Sequence, residues 1–332
     1  MVSVVYGPVP SWRLGRSLGI DPTMLPKACT FDCVYCQLGR TVRRISSPKE
    51  LDPVVEVDEL IKELKSKIEK IGLDPIDFIT FSGTGEPTLN PNLGEMISAI
   101  KTMVPSKPVA VLTNSSLLHL IEVRDALSKA DLVCLKLDAA DQLTFEAINR
   151  PVSNVPGIEG IIESIREFKK SYKGVLALQI MLIDSTKPSF RVNFRGEALD
   201  YLIDSIASIQ PDQIQLNTPT RPVTEKHIKP VGPAILSVVE ERIIEVAPRS
   251  EIMRVDKREI SIKLMRKEKR SMDELRDEVL ALLKRRPCRI IDISTALGVE
   301  PADIETILES MIRSGLLKDV KSKRGVYYVY IG

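Results

Sequence analysis

Hydrophobic and polar positions along the first two thirds of the chain follow two alternating periods. Short runs rich in valine, isoleucine and leucine predict buried strands, and the stretches between them place apolar residues three and four apart, as amphipathic helices do. The predicted strands are "SLGID", "IDFITFSG", "PVAVLTN", "DLVCLKLD", "VLALQIMLI" and "DQIQLN". Repeated strand–helix units favour a parallel sheet, so we expect an α/β fold, a partial TIM-like (β/α)6 barrel that stays open.

The pattern changes after residue 262. "KLMRKEKRS" predicts a charged linker, and "MDELRDEVLALLKRR", "IIDISTALG" and "EPADIETILESMIRSG" predict three helices. "LLKDVKSKRGVYYVYIG" then predicts a β-hairpin. This order is typical of a winged helix-turn-helix. We therefore divide the chain into a barrel domain, residues 1–262, and a linker with a winged-helix domain, residues 263–332.

Composition and charge narrow the class of protein. The chain has 332 residues, of which 43% are hydrophobic, and this is enough to fill a core. Its net charge of +2 does not indicate a polyanionic partner for the chain as a whole. No run approaches the roughly 18 apolar residues of a membrane span, and the start lacks the order of a signal peptide. We expect a cytoplasmic protein with no membrane attachment.

Three of the five cysteines lie within "CTFDCVYC". The five are Cys29, Cys33, Cys36, Cys134 and Cys288. An odd, clustered set favours a reducing compartment and a metal site over disulfides. A structural zinc site needs four ligands, and the two histidines, His119 and His227, are single and remote. Zinc held with distant partners, or a redox pair formed by Cys33 and Cys36, stays open as an alternative.

Three thiolates also fit a four-iron cluster in which one iron has no protein ligand. The spacing of the three cysteines, with Tyr35 directly before Cys36, resembles the CxxxCxφC signature of the radical S-adenosylmethionine (SAM) superfamily. The resemblance implies that Cys29, Cys33 and Cys36 ligate a [4Fe-4S] cluster whose open iron chelates SAM. It also implies that Tyr35 lies near the adenine, and that an electron donor such as ferredoxin or flavodoxin reduces the cluster.

Further motifs stand at the carboxyl ends of predicted strands, where barrels of this type place their chemistry. "SGTGEP" resembles the Gly-Gly-Glu motif of the same superfamily, which implies that Gly85 and Glu86 hold the methionine part of SAM. Glycine lets backbone approach a ligand closely, and a carboxylate can accept from the ammonium group. "LTNSS" likewise places Thr113 and Asn114 near the ribose or methionine, with a helix N-cap at Asn114 or Ser115 as the alternative.

The fourth predicted strand alternates between its two faces. Cys134, Lys136 and Asp138 share the face that would point into the barrel. Lys136 stands where relatives place a residue that contacts the SAM carboxylate, so the resemblance implies that role. The alternative is a structural ion pair of Lys136 with Asp138 or with Glu86, because a buried lysine without a partner is costly.

Four other segments resemble a group of radical SAM proteins related to tRNA wyosine synthases. They are "GPVPSWRLGRSLGIDP", "QLGRT", "LDAADQLTFEAINRP" and "LNTPTRPVTE", and the resemblance covers most of residues 1–225. No cysteine precedes Cys29, which weighs against the second cluster of those synthases and against their reaction. Arginines on both sides of the cysteines suit recognition of phosphate or carboxylate, or form a solvated basic loop. They are Arg13, Arg16, Arg40, Arg43 and Arg44.

From Lys263 onward the chain holds 15 basic and 11 acidic residues. The third predicted helix of this part is acidic, so a sequence-specific DNA reader is disfavoured. The basic residues stand near the end of its first helix and in its hairpin. They are Lys284, Arg285, Arg286, Arg289, Lys321, Lys323 and Arg324. An RNA backbone clamp, or a docking module for a peptide or protein, is the expected use.

These expectations combine into one functional hypothesis. The chain is a radical SAM enzyme that cleaves SAM reductively to a 5′-deoxyadenosyl radical, which abstracts hydrogen from a substrate. RNA or tRNA is the favoured substrate, and a peptide or protein acted on by a maturase or activase is the alternative. An iron–sulfur regulator that senses redox state and binds DNA is the alternative of another class.

Overall fold

A computed structural model describes residues 3–257, 271–322 and 324–331 of the chain. The strands are β1 Val5–Ser11, β2 Gly15–Ile20, β3 Ala28–Cys29, β4 Arg43–Arg44, β5 Phe78–Phe81, β6 Val109–Thr113, β7 Leu132–Lys136, β8 Val175–Met181, β9 Ile183–Ser185, β10 Gln213–Asn217, β11 Ile228–Pro230, β12 Glu251–Arg254, β13 Leu317–Ser322 and β14 Gly325–Tyr330. The helices are α1 Val57–Ile71, α2 Leu93–Met103, α3 Ile121–Leu127, α4 Gln142–Asn149, α5 Ile158–Ser171, α6 Gly196–Ile209, α7 Pro233–Val246, α8 Met272–Leu283, α9 Ile290–Leu297 and α10 Pro301–Arg313. Short 3-10 helices span Pro48–Glu50 and Pro87–Leu89.

The predicted strands assemble into one curled, half-barrel sheet. Its order is β1-β2-β5-β6-β7-β8-β10-β12. From β2 to β12 every neighbouring pair is parallel, whereas β1 runs antiparallel to β2. Helices connect the parallel strands, as an α/β fold requires. All parallel strands therefore end at the same edge of the sheet.

The six predicted strands are confirmed as β2, β5, β6, β7, β8 and β10, and each is followed along the chain by a helix. The sheet also holds two strands that were not predicted, β1 and β12. β12 is only four residues long and begins and ends with charged residues, so it carries no strand pattern. β1 contains Pro8 and Pro10, which predict a turn rather than a strand. Proline is tolerated there because β1 lies at the edge of the sheet.

The helix α5 shows why the amphipathic stretches fold onto the sheet. Its buried residues include Ile158, Ile161, Ile165 and Phe168, which stand three or four positions apart and so share one face. Burying each such side chain contributes about 1.5–3 kcal/mol. Inside the barrel, small and apolar side chains fill the layer near the strand starts. This filling leaves space at the carboxyl ends of the strands.

The segment from α8 to β14 has the predicted order of three helices and a hairpin. Its helices form a second core that includes Tyr6 and Val9 of β1, so the segment packs on the edge of the sheet. We call it the terminal unit. Its assignment as a winged helix stays a prediction, and the linker "KLMRKEKRS" and the boundary after residue 262 lie outside the described residues. No helix among the described residues is long and apolar enough to span a membrane.

A buried ion pair joins the terminal unit to the sheet. Arg285, just after α8, donates from Nε to Asp21 Oδ2 at 3.0 Å, and the two side chains are 1% and 0% exposed. The guanidinium also lies 4.5 Å from the centre of the Tyr6 ring. The other Asp21 oxygen accepts from the backbone N–H of Thr84 at 3.2 Å. Arg285 is therefore a structural residue, and its placement on a basic nucleic-acid surface is wrong.

We predict that Arg285→Met lowers the free energy of unfolding by about 3–5 kcal/mol, because it leaves Asp21 as an unpaired buried charge. The matched control is Arg313→Met, at the exposed end of α10, with an expected change within about 0.5 kcal/mol. Urea denaturation measures both, and the double variant Asp21→Asn with Arg285→Met recovers part of the loss. Equal urea midpoints for Arg285→Met and Arg313→Met would show that the pair does not hold the unit.

Candidate active site at the carboxyl edge of the sheet

The three clustered cysteines lie in the loop that follows β2. Cys29 ends the short strand β3, which pairs in parallel with β4. Beyond it, the backbone N–H of Val34 donates to the carbonyl of Ile148 at 2.9 Å, and the N–H of Cys36 donates to the carbonyl of Cys33 at 3.0 Å. The loop is thus held against the end of α4. All three cysteines are free of disulfides.

Each thiol has a nitrogen donor. Lys27 Nζ lies 3.1 Å from Cys36 Sγ, Asn114 Nδ2 lies 3.5 Å from Cys29 Sγ, and Asn149 Nδ2 lies 3.5 Å from Cys33 Sγ. Donors of this kind stabilise thiolates and tune iron–sulfur clusters. Burial raises the pKa of the Cys29 thiol to about 12, and nearby Glu86 adds to the shift. Three thiols with N–H···S donors are a donor set that fits an iron–sulfur cluster.

The glycine loop after β5 packs directly against the cysteine loop. The backbone N–H of Glu86 donates to the carbonyl of Ala28 at 3.0 Å. A Cβ atom on Gly85 would lie 2.1 Å from that carbonyl oxygen and 2.7 Å from Thr23 Oγ1. Only glycine permits this approach, which brings Glu86 next to Cys29.

The carboxylate of Glu86 is buried and accepts four hydrogen bonds. Oε1 accepts from the N–H of Thr88 at 3.1 Å, its hydroxyl at 2.8 Å and the Thr113 hydroxyl at 2.5 Å. Oε2 accepts from the N–H of Asn114 at 2.7 Å. Burial raises the pKa of Glu86, against the effect of these donors. Oε1 thus accepts three bonds and Oε2 only one, so Oε2 is the oxygen with room for a further donor.

Asn114 links the two predicted parts of the site. Its backbone N–H holds Glu86, and its side-chain amide reaches Cys29 Sγ and Thr30 Oγ1. Thr113 and Asn114 therefore lie in the site, but their polar groups are engaged by the protein. Their contact with SAM stays a prediction. The N-cap alternative is wrong, because α3 begins only at Ile121 with Leu120 as its N-cap.

Tyr35, Lys136 and Asp138 form a buried polar chain. Lys136 Nζ donates to the Tyr35 hydroxyl at 2.8 Å and lies 3.8 Å from Asp138 Oδ2, and the Tyr35 hydroxyl donates to the same carboxylate oxygen. The alternative ion pair of Lys136 with Asp138 is thus present, and the one with Glu86 is absent among the described contacts. Burial raises the pKa of Tyr35 well above its usual value, and Asp138 adds to that rise. The roles of Tyr35 and Lys136 toward SAM stay predictions.

Sequence reasoning missed two of the three nitrogen donors around the thiols, Lys27 and Asn149. Lys27 stands two residues before Cys29, and Asn149 lies in the stretch "FEAINRP". The residues around Lys27 and Asn149 form no motif that would predict a contact with a thiol. Asn149 also donates to Asp138 Oδ2 at 2.8 Å, so it ties Cys33 to the polar chain. Only the fold brings residues this far apart in sequence together.

A cavity of about 320 Å³ lies beside these residues within the mouth of the barrel. The residues that line it include Tyr35, Cys36, Gly83, Trp12 and Arg286. The terminal unit therefore forms part of the wall. A reacting group could lie here next to the cysteine loop.

We predict that Gly85→Ala lowers the free energy of unfolding by about 1–3 kcal/mol, because the added Cβ overlaps the Ala28 carbonyl. The matched control is Gly232→Ala, since a Cβ at Gly232 would meet nothing within 4 Å. Urea denaturation measures both variants. If Gly85→Ala is as stable as Gly232→Ala, the close packing of the two loops is not a constraint.

The comparisons with known proteins bear on this site. The sequence model described as "Radical SAM superfamily" matches residues 24–189. UPF0026 protein MJ1312 of Methanocaldococcus jannaschii is 30% identical over 328 residues, which cover 99% of this chain and 96% of that relative. UPF0026 protein slr1464 of Synechocystis is 37% identical over 218 residues, 66% of this chain and 76% of its own.

Among solved structures, Streptococcus suis SuiB bound to S-adenosylmethionine matches with a TM-score of 0.49 and 17% identity, over 72% of this chain and 50% of that one. The family match spans half of the chain and includes all three clustered cysteines. The chain therefore belongs to the radical SAM superfamily and is an enzyme, with SAM and an iron–sulfur cluster as the cofactors that the family implies.

Proposed function

We propose that Cys29, Cys33 and Cys36 ligate a [4Fe-4S] cluster whose fourth iron binds SAM. One observation carries this proposal: Asn114 contacts both Cys29 Sγ and Glu86 Oε2, so the predicted cluster ligands and the predicted SAM residue share one site. The donor set of three thiols supports a cluster with one iron free of protein ligands.

The chain's own residues would hold SAM as follows. Glu86 Oε2 accepts from the methionine ammonium, because Oε1 is already filled by three protein donors. Thr113 acts mainly by fixing Glu86, since its hydroxyl is donated to that carboxylate. Lys136 pairs with the methionine carboxylate, and the Tyr35 hydroxyl and Asp138 hold it in place.

When bound, the cluster supplies one electron for reductive cleavage of SAM to methionine and a 5′-deoxyadenosyl radical, which takes a hydrogen atom from the substrate. Lys27, Asn114 and Asn149 stabilise the thiolates by their N–H···S contacts. The walls of the cavity orient the substrate and exclude water. A ferredoxin or flavodoxin would deliver the electron.

RNA is the substrate class that we favour. The hairpin of the terminal unit exposes Lys318, Lys321 and Arg324, and these can contact phosphates. A peptide or protein substrate is the alternative, with the same unit as a docking surface. The regulator hypothesis is disfavoured because α10 exposes Asp303, Glu305 and Glu309, and DNA phosphates would repel that helix.

We predict that Cys33→Ala abolishes both the visible absorbance of the reconstituted cluster and the formation of 5′-deoxyadenosine from SAM. Loss of one thiolate leaves only two ligands, which do not hold the cluster. Anaerobic reconstitution with iron and sulfide, a chemical reductant and SAM, followed by mass spectrometry, makes the measurement. Cys288→Ala, in the terminal unit, is the matched control and retains both signals. SAM cleavage by Cys33→Ala would refute the proposal.

The RNA assignment has its own test. We predict that Lys321→Gln weakens binding of bulk tRNA and reduces the salt dependence of log K by about 0.7–0.9, the value for one lost phosphate contact. Lys170→Gln, at the exposed end of α5, is the matched control and leaves both unchanged. Filter binding over a salt series measures the slopes. An unchanged slope for Lys321→Gln would favour the peptide or protein alternative.

A further inference from the structure

Three arginines from separate parts of the chain line the cavity in the barrel mouth. Arg13 lies in the turn between β1 and β2, Arg221 follows β10, and Arg286 follows α8 in the terminal unit. The described residues that line this cavity include Arg285 as well, but no aspartate or glutamate. The cavity therefore has a strong excess of positive charge.

None of these three arginines forms a salt bridge within the described part of the chain. Arg13, Arg221 and Arg286 each make one long contact with a neutral oxygen, at 3.4, 3.5 and 3.5 Å, respectively. The Nε atoms of Arg13 and Arg286 are buried without a hydrogen-bond partner. A buried guanidinium donor without a partner destabilises the protein unless a ligand satisfies it.

Neighbouring arginines show the opposite pattern. Arg16 lies 2.7 Å from Asp77, Arg40 lies 2.8 Å from Asp32, and Arg285 lies 3.0 Å from Asp21. Of the five arginines that the sequence placed around the site, Arg13 is the one that lines the cavity. Carboxylates thus pair with several arginines around the site, whereas no described aspartate or glutamate lies within salt-bridge distance of Arg13, Arg221 or Arg286.

The charges of Arg221 and Arg286 also disfavour each other. Burial and the proximity of Arg286 lower the pKa of Arg221 to about 10. The Cζ atom of Arg13 lies 5.6 Å from the centre of the Trp12 ring, a contact that does not neutralise the charge of the guanidinium. An anion in the cavity would remove this repulsion.

We propose that Arg13, Arg221 and Arg286 form a binding site for a phosphate group of the substrate. This inference rests on the proposed function, in which the cavity is where substrate meets the radical. The paired N–H donors of one guanidinium group are enough to bind a carboxylate. Three guanidinium groups from three segments can donate hydrogen bonds to the three free oxygens of a phosphate dianion. A volume of about 320 Å³ is near the lower end of small-molecule sites, so the cavity accepts one phosphorylated moiety rather than a duplex.

The site gives the terminal unit a direct role. Arg286 comes from that unit, and Arg13 and Arg221 come from the barrel, so the phosphate site is complete only when the two are packed together. Tyr327 of β14 donates to the carbonyl of Thr220 at 3.0 Å, next to Arg221, and so supports this arrangement. The terminal unit then contributes to substrate selection as well as to stability.

The test measures binding of inorganic phosphate to the reconstituted full-length protein by isothermal titration calorimetry at constant ionic strength. Malonate is the carboxylate probe. We expect saturable phosphate binding at one site, tighter than malonate binding. Arg221→Gln and Arg286→Gln should each weaken phosphate binding about tenfold or more, the loss expected for a charge-assisted hydrogen bond. Arg286→Lys, which keeps the charge without the fork, should give a smaller loss.

Matched controls separate this site from a general loss of charge or of folding. Arg16→Gln lies in the same β-hairpin as Arg13, and Arg313→Gln lies in the same unit as Arg286; both should bind phosphate as the unchanged protein does. Thermal unfolding without ligand should show no loss of stability for Arg221→Gln or Arg286→Gln, because neither residue forms a salt bridge with any residue that the structure describes. A lowered melting temperature for both would instead indicate structural arginines and overturn the proposal.

Other outcomes would also overturn it. These outcomes are a titration that shows no phosphate binding, malonate that binds more tightly than phosphate, and arginine variants that bind phosphate as tightly as the unchanged protein. If the same substitutions weaken SAM binding instead, the arginines hold the carboxylate of SAM. Phosphate binding does not require SAM cleavage, so its failure leaves the proposed function intact, and a failure of SAM cleavage leaves the anion site testable.

Discussion

The buried carboxylate of Glu86 is the interaction on which the site depends. The carboxylate is buried beyond the end of β5, and hydrogen bonds from Thr88, Thr113 and Asn114 replace its contacts with water. These bonds fix the loops after β5 and β6 to each other. The N–H of Glu86 in turn fixes the cysteine loop through Ala28. A buried carboxylate without these donors would be costly, so the three loops form together or not at all.

The same logic extends to the terminal unit. Asp21 accepts from Thr84 on the glycine loop and from Arg285 of the terminal unit, so one buried carboxylate connects the site with a separate set of helices. The packing of that unit on β1 also closes the cavity with Arg286. The half-barrel is open as a sheet, and in this chain part of its wall comes from a segment about 250 residues from the cysteines.

The sequence predicted those features of the fold that depend on residues close together in the chain. Six strands, the order of the terminal elements and the strand ends that carry Gly85, Glu86 and Lys136 follow from periodicity and turn residues. The partners of buried polar groups do not, because pairing such as that of Arg285 with Asp21 depends on tertiary contacts across the chain. The run "KRR" therefore suggested a basic surface, although the structure buries one of its residues and places the next in the cavity.

The central claim is that three thiolates hold a four-iron cluster and leave one iron open to SAM. Electron paramagnetic resonance of the anaerobically reconstituted and reduced protein, recorded before and after addition of SAM, tests it most directly. We expect the signal of a reduced [4Fe-4S] cluster and a change in that signal when SAM binds to the open iron. A cluster signal that SAM leaves unchanged, or metal analysis showing zinc bound in place of iron, would contradict it.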